Sequence, residues 1–160
     1  MAYELLIKNA KTRENGNNLV DIAIEKGKIA KVAPKVEGDA AKVIDAAGKL
    51  VTGSFINGHL HLCKVYTLAM MDDEAISAYT DGEMGGAMTA IELAAKVKEK
   101  YDEKWIIQNV RKALDLAVRY GNTHIRAFAD TDTTGKLEGV KALIKAREEY
   151  KGRVEVQVVA

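Results

Sequence analysis

Phe55 to Cys63 reads FINGHLHLC, and it places two of the chain's three histidines two residues apart inside an apolar run. On a β-strand, side chains at i and i+2 point to the same face. His59 and His61 therefore project together, while Leu60 turns the other way into packing. Neutral imidazole is the commonest metal ligand, and a strand is a stiff support for one. Gly58, just before the pair, permits a close backbone approach or an unusual turn. Spacing alone leaves a second reading open, of two strand histidines each satisfied by a hydrogen bond. Two ligands do not complete a structural zinc site, which takes four.

The flanks decide what kind of strand this is. Before it, Tyr3–Asn9, Leu19–Lys26 and Lys28–Ala33 are rich in β-forming residues, and Lys26-Gly27 and Asn15–Asn18 carry turn signals. KVIDA and KLVT follow, separated by Ala47-Gly48. Residues 1–52 thus read as a small antiparallel β unit without chemistry of its own. After the histidines comes a loop containing glycine and Met70, Met71, Met84 and Met88, over roughly Lys64–Ala87. Methionines there fit either a flexible lid or the filling of irregular core gaps. Asp72-Asp73-Glu74 suits the opening of a short helix.

Two helical periods are then expected. Thr89-x-x-Glu92 fits a capping box. The second period has apolar residues at Ile106, Ile107, Val110, Leu114, Ala117 and Val118, with Asp102 as N-cap and Gly121 as terminator. Trp105 reads as packing. Asn122–Asp130 is expected as a buried strand. A helix with Leu137, Val140, Leu143 and Ile144 on one face follows, and Arg153–Ala160 closes as another strand. Strands alternating with helices imply parallel βα units, and crossovers would lay the three strands side by side.

Composition bounds the function. Lysine and arginine number 24 against 23 acidic residues, with the signs interspersed. That balance gives no electrostatic footprint for nucleic acid or an anionic membrane surface. Hydrophobic residues make up 48%, enough for a packed core. No apolar stretch approaches the roughly 20 residues of a membrane span. The first residues lack the pattern of a signal peptide, and the single cysteine forms no internal disulfide. A cytoplasmic location is the expectation.

A β-rich segment, a strand ending in His-x-His, and βα units after it resemble the amidohydrolase superfamily. More narrowly, FINGHLHLCKVYTL (55–68), GNTHIRAFADTD (121–132) and ALIKAREEYKGRVEVQVVA (142–160) are similar to the N-terminal part of cytosine deaminase-like members. The resemblance covers essentially the whole chain. It implies an α/β fold: a small antiparallel β-sandwich segment over 1–52, then about three βα units of an incomplete TIM-type barrel over 53–160. It implies a divalent metal, zinc or iron, with His59 and His61 as its first two ligands. The metal would activate water for attack on a ring carbon bearing an amino group, and ammonia would leave.

Two departures stand out. Gly53-Ser54 replaces the Pro-Gly usual before this strand in relatives. A complete barrel takes roughly 250 residues, and the later ligand histidine, the late aspartate and the ring-contacting glutamine have no matching positions. The expectation is an N-terminal portion of an enzyme, with no catalytic residue of its own among these 160.

Other residues need weighing. Cys63 shares the histidine face if the strand persists, as a further zinc ligand; a small buried residue is the plainer reading. His124, Arg126, Phe128 and Asp130 alternate onto one face of the second strand. Arg126 and Asp130 are candidate substrate-binding residues that could pair with each other, against the reading of a structural hydrogen-bond network. Asp132 suits a turn or cap, and Lys64, which follows the motif and could face the site, suits solvent better.

The leading expectation is therefore a hydrolase acting on a non-peptide C–N bond, deaminating cytosine or a related amino-substituted ring. The partner implied is a small nitrogen heterocycle. Alternatives are an amidohydrolase acting on triazines or cyclic amides, or a non-catalytic half-barrel that docks on a second polypeptide. Exposed strand edges would serve that pairing, or a homo-oligomer. The deaminase pattern His-x-Glu with Pro-Cys-x-x-Cys is absent.

Overall fold

A computed structural model describes residues 2–80, 92 and 95–160. The chain divides into two compact units, Met1–Gly53 and Ser54–Ala160.

In the first unit, β1 (Leu5–Ala10), β2 (Val20–Glu25) and β3 (Lys28–Ala33) form an antiparallel meander, and β4 (Val43–Asp45) adds to the far side of β1. Lys26 (φ 50°) and Gly27 (φ 68°) both lie in the left-handed region. This is the paired positive φ of a tight hairpin turn, as the sequence suggests. One strand departs from the antiparallel expectation: β4 runs parallel to β1. The chain from β3 to β4 crosses to the opposite edge, which reverses the sense of the fourth strand. Small clusters around Val20 and Leu6 form the core. The buried Asp21 carboxylate accepts from the backbone N–H groups of Asn9 and Val36, each at 3.1 Å. A buried carboxylate without such donors would cost several kcal/mol.

The second unit holds β5 (Phe55–Leu60), β6 (Asn122–Phe128) and β7 (Glu155–Val159), all parallel, in that spatial order. Helix α1 (Asp73–Thr80) opens on Asp73 and Glu74, as expected. Helix α2 (Glu103–Arg119) connects to β6, and α3 (Glu138–Glu149) connects β6 to β7. Asp102 caps α2, accepting from the N–H groups of Lys104 (2.6 Å) and Trp105 (3.2 Å). Gly121, at φ 81°, turns the chain out of the helix. The Thr89–Glu92 capping box, Met84 and Met88 fall in the stretch where only Glu92 is described.

One face of the β5–β7 sheet packs on α2 and α3. Ile106, Ile107, Val110 and Leu114 of α2 meet Ile125, Ala127, Val154 and Val156 in one buried cluster. Helix α3 differs from the expected stripe. Leu137 and Ile144 are exposed, and the buried face is Gly139, Ala142, Leu143 and Ala146. Leu143 and Val140 pack as expected, and the small Gly139, Ala142 and Ala146 beside them let the helix approach the sheet closely.

Candidate metal centre

The histidine pair lies where β5 ends. The β5–β6 register advances three residues on β5, Asn57 to Leu60, against two on β6, Ile125 to Ala127. That extra residue is a bulge at Gly58–His59, a device that bends a strand and re-aims a side chain. Asn57 Oδ1 accepts from the His59 N–H at 3.2 Å and holds the local conformation. Gly58 has open space around its Cα and no positive φ, so its role is the bulge rather than a close approach. The strand stops at Leu60, and His61 introduces a 3-10 turn, Leu62–Lys64.

The two imidazoles remain together, ring centroids 5.3 Å apart. His59 stacks on Phe128 at 4.3 Å with planes 23° apart, and His61 lies 5.8 Å from the same ring. Such ring pairs are worth about 0.5–1.5 kcal/mol beyond their burial. Phe128 comes from the end of β6, so parallel pairing brings it to the histidines.

Asp130, two residues on, stands beside His61, with Oδ1 3.3 Å from Nδ1. Its other oxygen receives Lys64 Nζ and Lys98 Nζ, each at 2.8 Å. Lys98 also reaches Asp132 at 2.6 Å. Two carboxylates and two ammonium groups thus form a neutral cluster. Burial works against the charged form of Asp130, but hydrogen bonds from Lys64 and Lys98 outweigh it and hold its pKa below the usual carboxylate range. Lys98 is likewise opposed by burial, yet its two carboxylate partners raise its pKa.

Several expectations change here. Lys64 is a partner of Asp130, not a solvated lysine. Arg126 and Asp130 do not pair. Four residues along a strand separate them by roughly 13 Å, and Arg126 Nε instead donates to Gln157 Oε1 of β7 at 2.9 Å. Parallel register sets Arg126 opposite Gln157. Cys63 does not share the histidine face. The 3-10 turn rotates it into the core, where it is 1% exposed. Its Sγ accepts from the Asp130 N–H at 3.4 Å, and burial pushes the thiol pKa up. The plainer reading of this cysteine holds. His124 contacts Thr123 Oγ1 at 2.9 Å and lies opposite Ile56, toward the other end of the sheet. Asp132 is the turn residue expected, accepting from the N–H groups of Thr134 and Gly135.

Lys98 and Gly139 were silent in the sequence. A Cβ on Gly139 would lie 3.1 Å from Cys63 Cβ. Only the contact between α3 and the turn after β5 gives that glycine a role.

Two imidazoles on one face suit a borderline divalent ion. A catalytic zinc site has three protein ligands and an open position. Among the described residues no cluster of three histidine, cysteine or carboxylate side chains is set to hold an ion. Asp130 is already committed to two lysines. The donor set therefore fits as two ligands of a larger site.

The chain is similar to known proteins along most of its length. The family described as "Amidohydrolase family" matches residues 42–156. N-isopropylammelide isopropyl amidohydrolase of Pseudomonas sp. (strain ADP) is 30% identical over 158 residues, covering 99% of this chain and 38% of that protein. The chain thus spans well under half the length of that relative. The crystal structure of N-isopropylammelide isopropylaminohydrolase from Burkholderia multivorans superimposes with a TM-score of 0.75 at 25% identity, covering all of this chain and 37% of the other. That of 5-methylcytosine deaminase from Klebsiella pneumoniae gives 0.71 at 21% identity, with 97% and 36% covered, a likeness of fold.

Proposed function

Because the chain belongs to the amidohydrolase family, we propose that His59 and His61 are the first two metal ligands of a hydrolase that cleaves a C–N bond on an amino-substituted nitrogen ring. The observation that carries this reading is the imidazole pair at the bulged end of β5, its rings 5.3 Å apart beside Phe128. In this reading residues 1–52 contribute a β-sandwich segment and residues 53–160 the first part of a (β/α)8 barrel. Barrel enzymes keep their sites at the C-terminal ends of the strands, and His61 and Asp130 follow the ends of β5 and β6.

A divalent ion bound there, zinc or iron, would supply an activated water, its pKa lowered toward about 7. The residues of this chain do the holding and orienting. Phe128 sets the plane of His59. Arg126, exposed on the same face of β6 as Phe128, is the candidate donor to a ring carbonyl or ring nitrogen of the substrate. Asp130 is engaged by two lysines and lies beside His61. The proton-transfer groups are assigned to none of these 160 residues.

The substrate proposed is cytosine or a related ring, with ammonia leaving. Similarity along 99% of the chain to a protein named for N-isopropylammelide favours a second reading, release of an amine from a triazine. Strands β5 and β7 are the edges of their sheet, so pairing with a further strand, from a second copy or another polypeptide, belongs to the proposal. Balanced charge and a lone buried thiol support a cytoplasmic setting. No helix among the described residues is long and apolar enough to cross a membrane.

Zinc or iron content of the longest available form, measured by native mass spectrometry after loading, tests the ligands. His61→Ala should abolish retention, and retention equal to the native chain would refute the assignment. Ammonia release from cytosine against amine release from an N-alkylaminotriazine, assayed on the longest available form, separates the two substrate readings.

A further inference from the structure

Each imidazole has two nitrogens, and only the unprotonated one can take a metal. What decides between them is the hydrogen-bond partner on the opposite side of the ring. For His61 that side is occupied: Nδ1 lies 3.3 Å from Asp130 Oδ1. The separation is that of a polar contact, slightly longer than an ordinary hydrogen bond.

Two lysines hold the carboxylate, and a further contact holds the backbone of the same residue. Lys64 and Lys98 both reach its Oδ2 at 2.8 Å. Its own backbone N–H is tied to the buried Cys63 Sγ. Cys63 is in turn packed against Gly139 of α3. Lys64 follows His61 by three residues, so the turn that carries the histidine also carries one brace of its partner. The Asp130 side chain is 10% exposed while that of His61 is 45% exposed. A fixed acceptor thus faces the inner nitrogen of a more open ring.

We propose that Asp130 is a positioning residue: it keeps the proton of His61 on Nδ1 and turns Nε2 outward toward the ion, with Lys64 and Lys98 fixing the carboxylate. This rests on the metal reading of the pair given above. It assigns Asp130 no contact with the ion and none with the reacting ring. It also gives the lysines a purpose. Without them the carboxylate at the end of β6 would be free to swing toward the ion and compete as a ligand.

The test is the tautomer of His61 in the 160-residue chain, read from long-range proton–nitrogen correlations on ¹⁵N-histidine-labelled protein. Spectra are recorded at about pH 8, above the ordinary imidazole range. His59→Gln and His124→Gln assign the three rings. The expected result is His61 as the Nδ1–H form in metal-free protein. Asp130→Ala should move it to the Nε2–H form. Asp130→Asn should give Nε2–H as well, because its amide oxygen goes to Lys64 and Lys98 and its NH2 then donates to Nδ1. Finding His61 as Nε2–H in the native chain, or unmoved by Asp130→Ala, overturns the proposal. If Asp130→Ala does not fold, the native tautomer still decides.

Added ¹¹³Cd²⁺ separates this inference from the reading beneath it. Coupling of cadmium to His61 Nε2 supports both. Coupling to Nδ1 overturns the role of Asp130 and leaves the ligand assignment intact. No coupling at either His59 or His61 refutes the ligand pair, whatever the tautomer of the metal-free protein.

Discussion

Phe128 lies flat against His59, their ring centroids 4.3 Å apart and their planes 23° from parallel. The contact joins the ends of two neighbouring parallel strands, and it limits the rotation of an imidazole that is otherwise exposed. Phe128→Ala removes the stack without touching any polar group. A loss of about 1 kcal/mol in orientation corresponds to zinc or cobalt binding roughly five-fold weaker. Competition with a colorimetric chelator measures it. Phe128→Tyr, which keeps the ring face, should bind like the native chain.

Gly139 approaches Cys63 so closely that an added Cβ would stand 3.1 Å from Cys63 Cβ. Alanine is the better helix former by up to about 1 kcal/mol, so a glycine-to-alanine change in α3 would ordinarily stabilise. Here the neighbour is a buried atom next to the backbone, which yields little. Overpacking of this kind costs about 1–3 kcal/mol and should win. Gly139→Ala is expected to lower the urea midpoint. Cys63→Ala should not rescue it, because the clashing atom is the Cβ that alanine retains.

Asp132 carries a pH dependence with a definite sign. Hydrogen bonding from Lys98, then from the N–H groups of Gly135 and Thr134, lowers its pKa to about 2. The unfolded value is about 3.9. A folded pKa below the unfolded one stabilises the protein above about pH 4, and that contribution is lost as pH falls toward about 2. Urea titrations of native protein and Asp132→Asn should differ at about pH 5 and converge near pH 2. A difference that persists unchanged at the acid end would remove the carboxylate from the account.

Asp102 opens α2 by accepting from two backbone N–H groups of the first turn. Losing an N-cap costs about 1 kcal/mol. Asp102→Ala should lower the thermal midpoint by a few degrees, and Asp102→Ser should recover most of it. Equal stability of all three by calorimetry would show that the cap contributes nothing.

The local features of this molecule could be read from its sequence because their causes are local. The closeness of His59 and His61 was legible in their spacing, although a bulge and the 3-10 turn after Leu60, not an unbroken strand, set the final geometry. Asp102 and Gly121 bound α2 through the chemistry of helix ends. Lys26-Gly27 turns a hairpin because Gly27 accepts positive φ at no cost, and the turn holds Lys26 there too. Alternating strands and helices implied parallel pairing, and β5, β6 and β7 lie side by side.

The surroundings of the pair were decided only by tertiary structure. Cys63 and Asp130 are 67 residues apart in the chain, yet the Asp130 N–H reaches the Cys63 sulfur. Lys98 comes from beyond α1 to brace the same aspartate. Arg126 takes Gln157 rather than Asp130 because the partner across a parallel ladder is nearer than a residue four places along the same strand. The face of α3 that packs adds Gly139, Ala142 and Ala146 to the expected Val140 and Leu143, since close approach to the sheet and to Cys63 needs small residues beside the large ones. Spacing and capping act within one element and so appear in the sequence. Register, bulges and the depth to which a helix settles arise between elements, and no single element encodes them.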